Sequence, residues 1–231
     1  MRENEFWACV IFYNDTPELL EKCLSAIKKN NLKLITIDGA FKEFLVNDQS
    51  GLLKPFSTDG TIEIAKKYSD IFVEAPPEGW ENQAQKRNKY VELVPTDSYF
   101  IIIDADEILT PFISYADLSQ DIYRIVEHRY TAENVFTSMS TIRVYKKYNH
   151  LRYMHQHCRI YDMRFIKEFD IEAGLLVSAK NPENQKKQFL VDCYGERVEI
   201  HHLKYSRSPE RLGLKEAYYL KREEAEHGYI K

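Results

Sequence analysis

Two aspartates stand directly after an apolar run, in the segment Asp104-Ala-Asp-Glu107 that follows Tyr99–Ile103. Side chains at alternate positions of an extended chain point the same way, so both carboxylates are predicted to face one side. Carboxylate oxygens are the ligands of hard cations such as Mg²⁺ and Mn²⁺. A cation held there can bridge a diphosphate and neutralise a leaving phosphate. Acidic pairs are common in turns, and what favours function here is the position of this pair at the end of a strand.

Polar residues in two earlier segments could serve the same chemistry. Asp38, which precedes Gly39, could accept a hydrogen bond from a nucleobase, although Asp-Gly is also ordinary turn chemistry. Lys86 and Arg87 could approach a diphosphate, and Asn88 could brace the loop after the following strand. A solvated helix face is the simpler interpretation of these last three residues.

Histidines form two further candidate groups. A neutral imidazole in the pair His201-His202 could complete the coordination of a metal begun by the aspartates. His155, His157 and Cys158 form another polar cluster, but their spacing matches no structural zinc motif. Such His-x-His pairs are more often surface residues of an edge strand than metal ligands.

The elements that would position these residues alternate between strand and helix over the first hundred residues. Continuous apolar runs predict buried strands, and apolar residues at helical spacing predict amphipathic helices between them. The predicted strands are 6–13, 34–38, 70–74 and 99–103, and the predicted helices start near Pro17, Asp59 and Asn82. This order predicts an α/β fold with a mostly parallel central sheet, helices on both faces and ligands at the carboxyl ends of the strands.

The second half of the chain is less regular. Strands are predicted at 121–130, 141–148, 155–161 and 198–203, and a charged helix at 208–227. The segment 40–58 is predicted to be a long loop. No linker separates two domains, so the prediction is a single domain, 1–231, with a nucleotide-binding half, 1–110, and an acceptor-binding half, 111–231.

Composition excludes several classes of protein. The chain has eight glycines, none spaced as in G-x-G-x-x-G, in a G-x-x-x-x-G-K-[ST] phosphate loop or in a G-x-S-x-G elbow. Its net charge of −4 argues against a general nucleic-acid binder. No apolar run approaches the ~20 residues that span a bilayer, and the polar start of the chain lacks a signal-peptide pattern. Four cysteines without a C-x-x-C pair complete the prediction of a cytoplasmic protein.

Taken in order, these segments resemble family 2 glycosyltransferases, which have a GT-A fold. The matching segments begin with Val10–Asn14 and Leu19–Leu24 and end with His202-Leu-Lys-Tyr205, and Phe100–Glu107 matches the family's D-x-D segment closely. The family usually joins Asp-Gly-x-Ser-x-Asp-Gly-Thr as one stretch. Here Asp38-Gly39 and Ser57–Thr61 carry it, separated by seventeen residues. The other matching segments are Lys86–Asn88, Arg143–Lys146 and Leu151–Tyr153.

Residue by residue, the resemblance implies a site for a nucleotide-sugar donor. Asp38 would bind the nucleobase, Asp59 would help to hold that pocket, and the backbone at Phe12 and Tyr13 would border it. Arg87 would lie near the diphosphate.

The resemblance also implies a site for a divalent cation, Mn²⁺ or Mg²⁺. Asp106 would ligate the metal, His202 would complete its coordination sphere, and Asp104 would contact the ribose or the metal through water. Ala105 would border the nucleotide sugar.

The catalytic base departs from the family pattern. Many relatives carry a His-Glu pair after the acceptor-side segment, where this chain reads Met154-His-Gln-His-Cys158. His157 and His155 are the closest substitutes for a base that takes the proton of the acceptor hydroxyl.

The function predicted is therefore a metal-dependent transfer of a sugar from a nucleotide sugar, with a UDP-sugar favoured, to an acceptor hydroxyl with inversion. A nucleotidyltransferase and a non-catalytic sugar-binding relative are the alternatives. The acceptor could be a glycan, a lipid-linked glycan or another hydroxyl compound. A homo-oligomer and peripheral contact with a membrane surface are left open.

Overall fold

In the computed structural model, the described residues are 5–48, 50–110, 122–130, 136–153, 160–162, 192–193 and 199–202. The first part of the chain forms β1 (Phe6–Ile11), α1 (Pro17–Lys29), β2 (Lys33–Ile37), α2 (Lys42–Val46), α3 (Thr61–Tyr68), β3 (Ile71–Val73), α4 (Gln83–Leu93) and β4 (Tyr99–Asp104). The later strands are β5 (Glu107–Leu109), β6 (Ile122–Tyr130), β7 (Phe136–Lys146), β8 (Leu151–Tyr153), β9 (Ile160–Asp162), β10 (Asp192–Cys193) and β11 (Glu199–His202).

The first half of the sheet is parallel, with the strand order β3-β2-β1-β4. β1 lies between β2 and β4, so that Ile11 is paired with Ile37 on one side and with Asp104 on the other. β1 and β4 are buried along nearly their whole length, as their continuous apolar sequences predicted. The carboxyl ends of β1, β2 and β4 therefore meet at one edge of the sheet.

Helices cover both faces of this parallel sheet. Ala8 and Val10 of β1 pack into one core with α1 and α3, whereas Trp7 and Cys9 pack into a second core with α4. Successive side chains of a strand point to opposite faces, which is why one strand contributes to both cores. The apolar face predicted for α1 is the face that is buried, namely Leu19, Leu20, Cys23, Leu24 and Ile27. The α/β class with helices on both faces is confirmed.

The second half extends the same sheet with strands of both directions. β7 is antiparallel to β4 and to β6, and β11 is parallel to β6 and antiparallel to β5. β10 pairs with β6, and β8 and β9 form a separate two-stranded sheet. The strands predicted at 121–130, 141–148 and 198–203 are present with shifted ends. Of the strand predicted at 155–161, only 160–161 lies within the described residues, and the predicted helix 208–227 lies outside them.

The long segment 40–58 is not simply the loop that its sequence predicted. It contains α2, and backbone hydrogen bonds join its two ends to each other and its first end to Trp80. The Trp80 N–H donates to the Ala40 carbonyl (2.8 Å), and the Ala40 N–H donates to the Pro55 carbonyl (2.8 Å). The middle of the segment projects outward, with Val46 84% and Leu52 77% exposed. The loop prediction was wrong for α2 because the contacts that fix this helix come from Trp80, far away in the sequence.

Candidate active site at the carboxyl edge of the sheet

Asp38 closes β2 and is buried at the sheet edge. Its Oδ1 accepts a hydrogen bond from the Ser57 hydroxyl (2.6 Å), and its Oδ2 accepts one from the Ser57 N–H (3.0 Å). The Ser57 hydroxyl oxygen also accepts from the Asn14 N–H (2.8 Å), and the Thr58 N–H donates to Asn14 Oδ1 (2.8 Å). Burial raises the pKa of Asp38, and the hydrogen bonds from Ser57 act in the opposite direction.

These contacts bring together the two parts of the divided motif, Asp38-Gly39 and Ser57–Thr61, which the seventeen-residue insertion separates in the sequence. The chain leaves the sheet edge at Gly39, which has a φ of +119°, and returns at Ser57 on the carboxylate of Asp38. The Tyr13 hydroxyl donates to the Lys54 carbonyl (2.8 Å) and helps to hold the returning chain. Phe12 and Tyr13, the predicted border of the nucleobase pocket, are both buried beside this junction.

Asp59 lies at the start of α3, where its Oδ1 accepts from the Thr61 hydroxyl (2.5 Å) and from the Thr61 N–H (3.2 Å). This contact closes the turn through Gly60, whose φ is +90°. Asp59 thus supports the first turn of α3 next to the Asp38 and Ser57 junction.

Lys86 is buried, contrary to the simpler interpretation of a solvated helix face. Its ammonium group donates to the Phe12 carbonyl (2.6 Å) and to the Gly39 carbonyl (2.6 Å), and its side chain lies over the Phe41 ring. Lys86 has only 1% of its surface exposed. From α4 it connects the carboxyl ends of β1 and β2. It braces the sheet edge through these two carbonyl groups.

Arg87 is also buried, at 3% exposed, and connects α4 to the D-x-D segment. Its Nη2 forms an ion pair with Asp104 Oδ1 at 2.8 Å, and its guanidinium lies over the ring of Tyr153. The Tyr90 hydroxyl donates to the Tyr153 hydroxyl (2.6 Å), and burial raises the pKa of both phenols. Arg87 therefore reaches the D-x-D segment, and its predicted position near the diphosphate stays a prediction.

Asn88 braces a different element from the one predicted. Its side-chain amide donates to the Tyr153 carbonyl (2.9 Å), and its Oδ1 accepts from the Tyr153 N–H (2.8 Å). The amide thus pairs with one residue of β8 as a neighbouring strand would. The expected contact with the loop after β4 was wrong, because α4 packs against β8 at this level.

The D-x-D segment forms a turn between β4 and β5. Because β4 ends at Asp104, residues 105 and 106 are not extended and the alternation argument does not govern their directions. The Asp104 side chain is 28% exposed and faces Arg87, whereas Asp106 is completely buried and Ala105 nearly so. The Cys23 thiol of α1 lies 3.6 Å from the Asp104 carbonyl oxygen, beneath the turn.

Glu107 and Arg143 hold this turn, and sequence reasoning assigned neither of them that role. Glu107 is completely buried; its Oε2 accepts from the Asp104 N–H (2.7 Å), and its Oε1 accepts from Arg143 Nη2 (2.7 Å). An acidic residue that directly follows two metal-ligand candidates was the available signal. The sequence does not show that Asp106 and Glu107 are buried while Asp104 stays partly exposed.

The donor chemistry of this turn fits a hard divalent cation. Asp104 and Asp106 offer carboxylate oxygens, and Mg²⁺ is commonly held by one or two carboxylates together with substrate phosphates. Within the described ranges, no group of three His, Cys, Asp or Glu side chains is arranged to hold a metal by itself. His202 lies on β11 at the register position opposite Glu107, while His155 and His157 lie outside the described residues.

Comparison with known proteins adds one finding. No curated protein matches the chain significantly, and no helix in the part of the chain that the structure describes has the length and apolarity needed to cross a membrane. The family model described as glycosyl transferase family 2 matches residues 7–171, which is well over half of the chain. This match covers the parallel sheet, the D-x-D turn and the β8–β9 pair, and the chain therefore belongs to glycosyl transferase family 2.

Proposed function

We propose that this chain is a metal-dependent glycosyltransferase that moves a sugar from a nucleotide-sugar donor to an acceptor hydroxyl with inversion. Family membership supports glycosyl transfer in general. The observation that carries the finer proposal is the D-x-D turn, where Arg87 fixes the carboxylate of Asp104 next to the buried Asp106 at the carboxyl edge of the sheet. Ligands of parallel α/β sheets bind at that edge.

The donor nucleotide is proposed to lie across the ends of β1, β2 and β4. Phe12, Tyr13, Asp38 and Asp59 form the side at which the nucleobase would bind, and a UDP-sugar is the favoured donor. The two hydrogen bonds between Asp38 and Ser57 would keep this pocket formed before the donor arrives, which lowers the entropic cost of binding.

Asp104, Asp106 and His202 would hold Mn²⁺ or Mg²⁺ at the diphosphate. When bound, the cation supplies positive charge that stabilises the departing nucleoside diphosphate. The chain's own contribution is to orient the sugar and to exclude water from the bond between the anomeric carbon and the diphosphate oxygen. That bond breaks as the acceptor oxygen bonds to the anomeric carbon from the opposite face.

The proton of the acceptor hydroxyl needs a base, and His157 or His155 is proposed for this role. The acceptor is proposed to be a glycan, a lipid-linked glycan or another hydroxyl compound bound by the second half of the chain. The same proposal includes a cytoplasmic location, with contact at a membrane surface where the acceptor is lipid-linked. It also includes assembly into a homo-oligomer.

Donor hydrolysis with Mn²⁺ tests the metal site. Asp106→Asn removes one carboxylate charge from the D-x-D turn, and Asp97→Asn makes the same change at an exposed residue at the opposite end of β4. We expect Asp106→Asn to lose turnover by about 100-fold, the scale of a lost electrostatic contact in an active site. Asp97→Asn should keep wild-type turnover, and equal turnover of all three proteins would refute the metal assignment.

A thermal-shift screen of nucleotide sugars with Mn²⁺ tests the donor. A donor at 100 times its dissociation constant stabilises the folded state by about 2.7 kcal/mol. For a chain of this size, that corresponds to roughly 5–10 °C in Tm. No shift with any nucleotide sugar would favour the non-catalytic sugar-binding alternative.

A further inference from the structure

We propose that Glu107 is a positioning residue for the D-x-D turn, whose carboxylate sets the places of Asp104 and Asp106 by joining the turn to Arg143 of β7. The inference deepens the proposed function and rests on it for the role of the turn in metal and diphosphate binding. Glu107 itself is assigned no contact with metal or substrate.

The first argument is geometric. β4 and β7 pair from Tyr99 and Lys146 to Ile101 and Val144, where the ladder ends. Beyond that point the Glu107 carboxylate joins the two strands, because it accepts from the backbone of Asp104 on β4 and from the side chain of the next β7 residue. The side chain thus replaces backbone pairing at the place where the turn leaves the sheet.

The second argument is electrostatic. Glu107 is completely buried, and the side chain of Arg143 is only 13% exposed. A buried carboxylate is stable when its charge is paired and its oxygens are hydrogen-bonded, and both conditions hold here. A fixed charge pair of this kind gives the turn one preferred geometry, since any displacement of the Asp104 backbone would break a charge-assisted hydrogen bond.

The third argument is the position of Glu107 in the strand order. Glu107 begins β5, and its register partner on the antiparallel β11 is His202. One residue therefore fixes the D-x-D turn through its side chain and the strand register of His202 through its backbone. Residues that orient metal ligands without binding the metal affect metal affinity by about 10–100-fold.

Glu107→Gln tests the proposal because an amide keeps the size of the side chain but offers only one acceptor oxygen for two donors. Glu5→Gln is the matched control, an exposed residue before the amino end of β1. Two quantities are measured: amide hydrogen exchange at Asp104 without metal, and Mn²⁺ affinity with and without UDP, from the free Mn²⁺ signal in electron paramagnetic resonance.

We expect Asp104 exchange in Glu107→Gln to be about tenfold faster, as for the loss of one charge-assisted hydrogen bond. The apparent Mn²⁺ affinity should fall at least about tenfold, with both quantities unchanged in Glu5→Gln. A folded Glu107→Gln protein with wild-type exchange, or with faster exchange and wild-type Mn²⁺ affinity, overturns the proposal.

If Glu107→Gln does not fold, Arg143→Lys takes its place in both measurements, because lysine keeps the charge but not the reach of the guanidinium. If the wild-type protein itself binds neither Mn²⁺ nor UDP, the proposed function fails. The exchange rate at Asp104 alone then decides whether Glu107 holds the turn.

Discussion

The buried ammonium of Lys86 allows a prediction with a worked magnitude. Lys86→Met keeps the length and apolar stem of the side chain but removes the donors to the carbonyl oxygens of Phe12 and Gly39, each at 2.6 Å. Leaving two buried carbonyls without these donors costs about 1–3 kcal/mol each. The variant no longer buries an ammonium group, and the absence of that desolvation penalty offsets part of the destabilisation. We expect a net loss of about 3 kcal/mol in the free energy of unfolding.

Urea denaturation of Lys86→Met and Lys89→Met measures this loss against a matched control on the same helix. The side chain of Lys89 is 42% exposed and forms only a surface ion pair with Glu92, so its substitution should change stability by less than about 0.5 kcal/mol. For a chain of this length, 3 kcal/mol corresponds to roughly 6–12 °C in Tm. If the two variants are equally stable, Lys86 does not brace the ends of β1 and β2 and the reasoning is refuted.

Three further predictions concern the same edge of the sheet. Arg87→Ala breaks the ion pair with the first D-x-D aspartate, and we expect about 3 kcal/mol of destabilisation with weaker UDP binding by calorimetry; unchanged values of both would contradict the assignment. In Gly39→Ala, a Cβ would lie 2.6 Å from a neighbouring Cβ, whereas at Gly60 it meets nothing within 4 Å. Both glycines have positive φ, so Gly39→Ala should lower Tm more than Gly60→Ala, and an equal loss would show that crowding is unimportant. Burial raises the pKa of Asp38 in the folded protein, so its contribution to stability is greatest below the unfolded pKa of about 3.9 and is lost as pH rises through the folded pKa. The stability of the wild type minus that of the non-titrating Asp38→Asn should therefore fall as pH rises from about 4 in urea denaturation, and a difference independent of pH would contradict the burial of this carboxylate.

Much of the parallel sheet could be predicted because its signals are local. The continuous apolar runs of β1 and β4 reflect burial on both faces of each strand. The helical spacing of apolar residues in α1 reflects burial of one face of the helix. The parallel order then places Asp38 and Asp104 at one edge without any knowledge of their contacts.

The burial of Lys86 and Arg87 could not be predicted in the same way. α4 is polar along most of its length, and a polar helix normally faces water. What buries these two cations is a set of partners from other elements: two carbonyl groups at the ends of β1 and β2 and the carboxylate of Asp104. Those partners are forty or more residues away for Lys86, and no local pattern connects them to the helix.

The same limit explains the insertion and the D-x-D turn. None of the residues of α2 is buried, and its five residues are too few to show the apolar periodicity from which a helix could be predicted. The role of Glu107 comes from its contact with Arg143, a residue that strand pairing brings close to it. In each case the missing information was the identity of a partner distant in sequence.

Because of the junction between Asp38 and Ser57, the geometry of the site does not depend on the length of the insertion. The chain leaves at Gly39 and is held again by two hydrogen bonds at Ser57, so the exposed middle of the insertion can change without moving either end. Closing a flexible loop of twice the length costs only about 0.6 kcal/mol more. The exposed stretch around Leu52 is therefore a site where a peptide tag, a fluorescent reporter or a recognition loop could be grafted beside the sheet edge while the junction keeps its form.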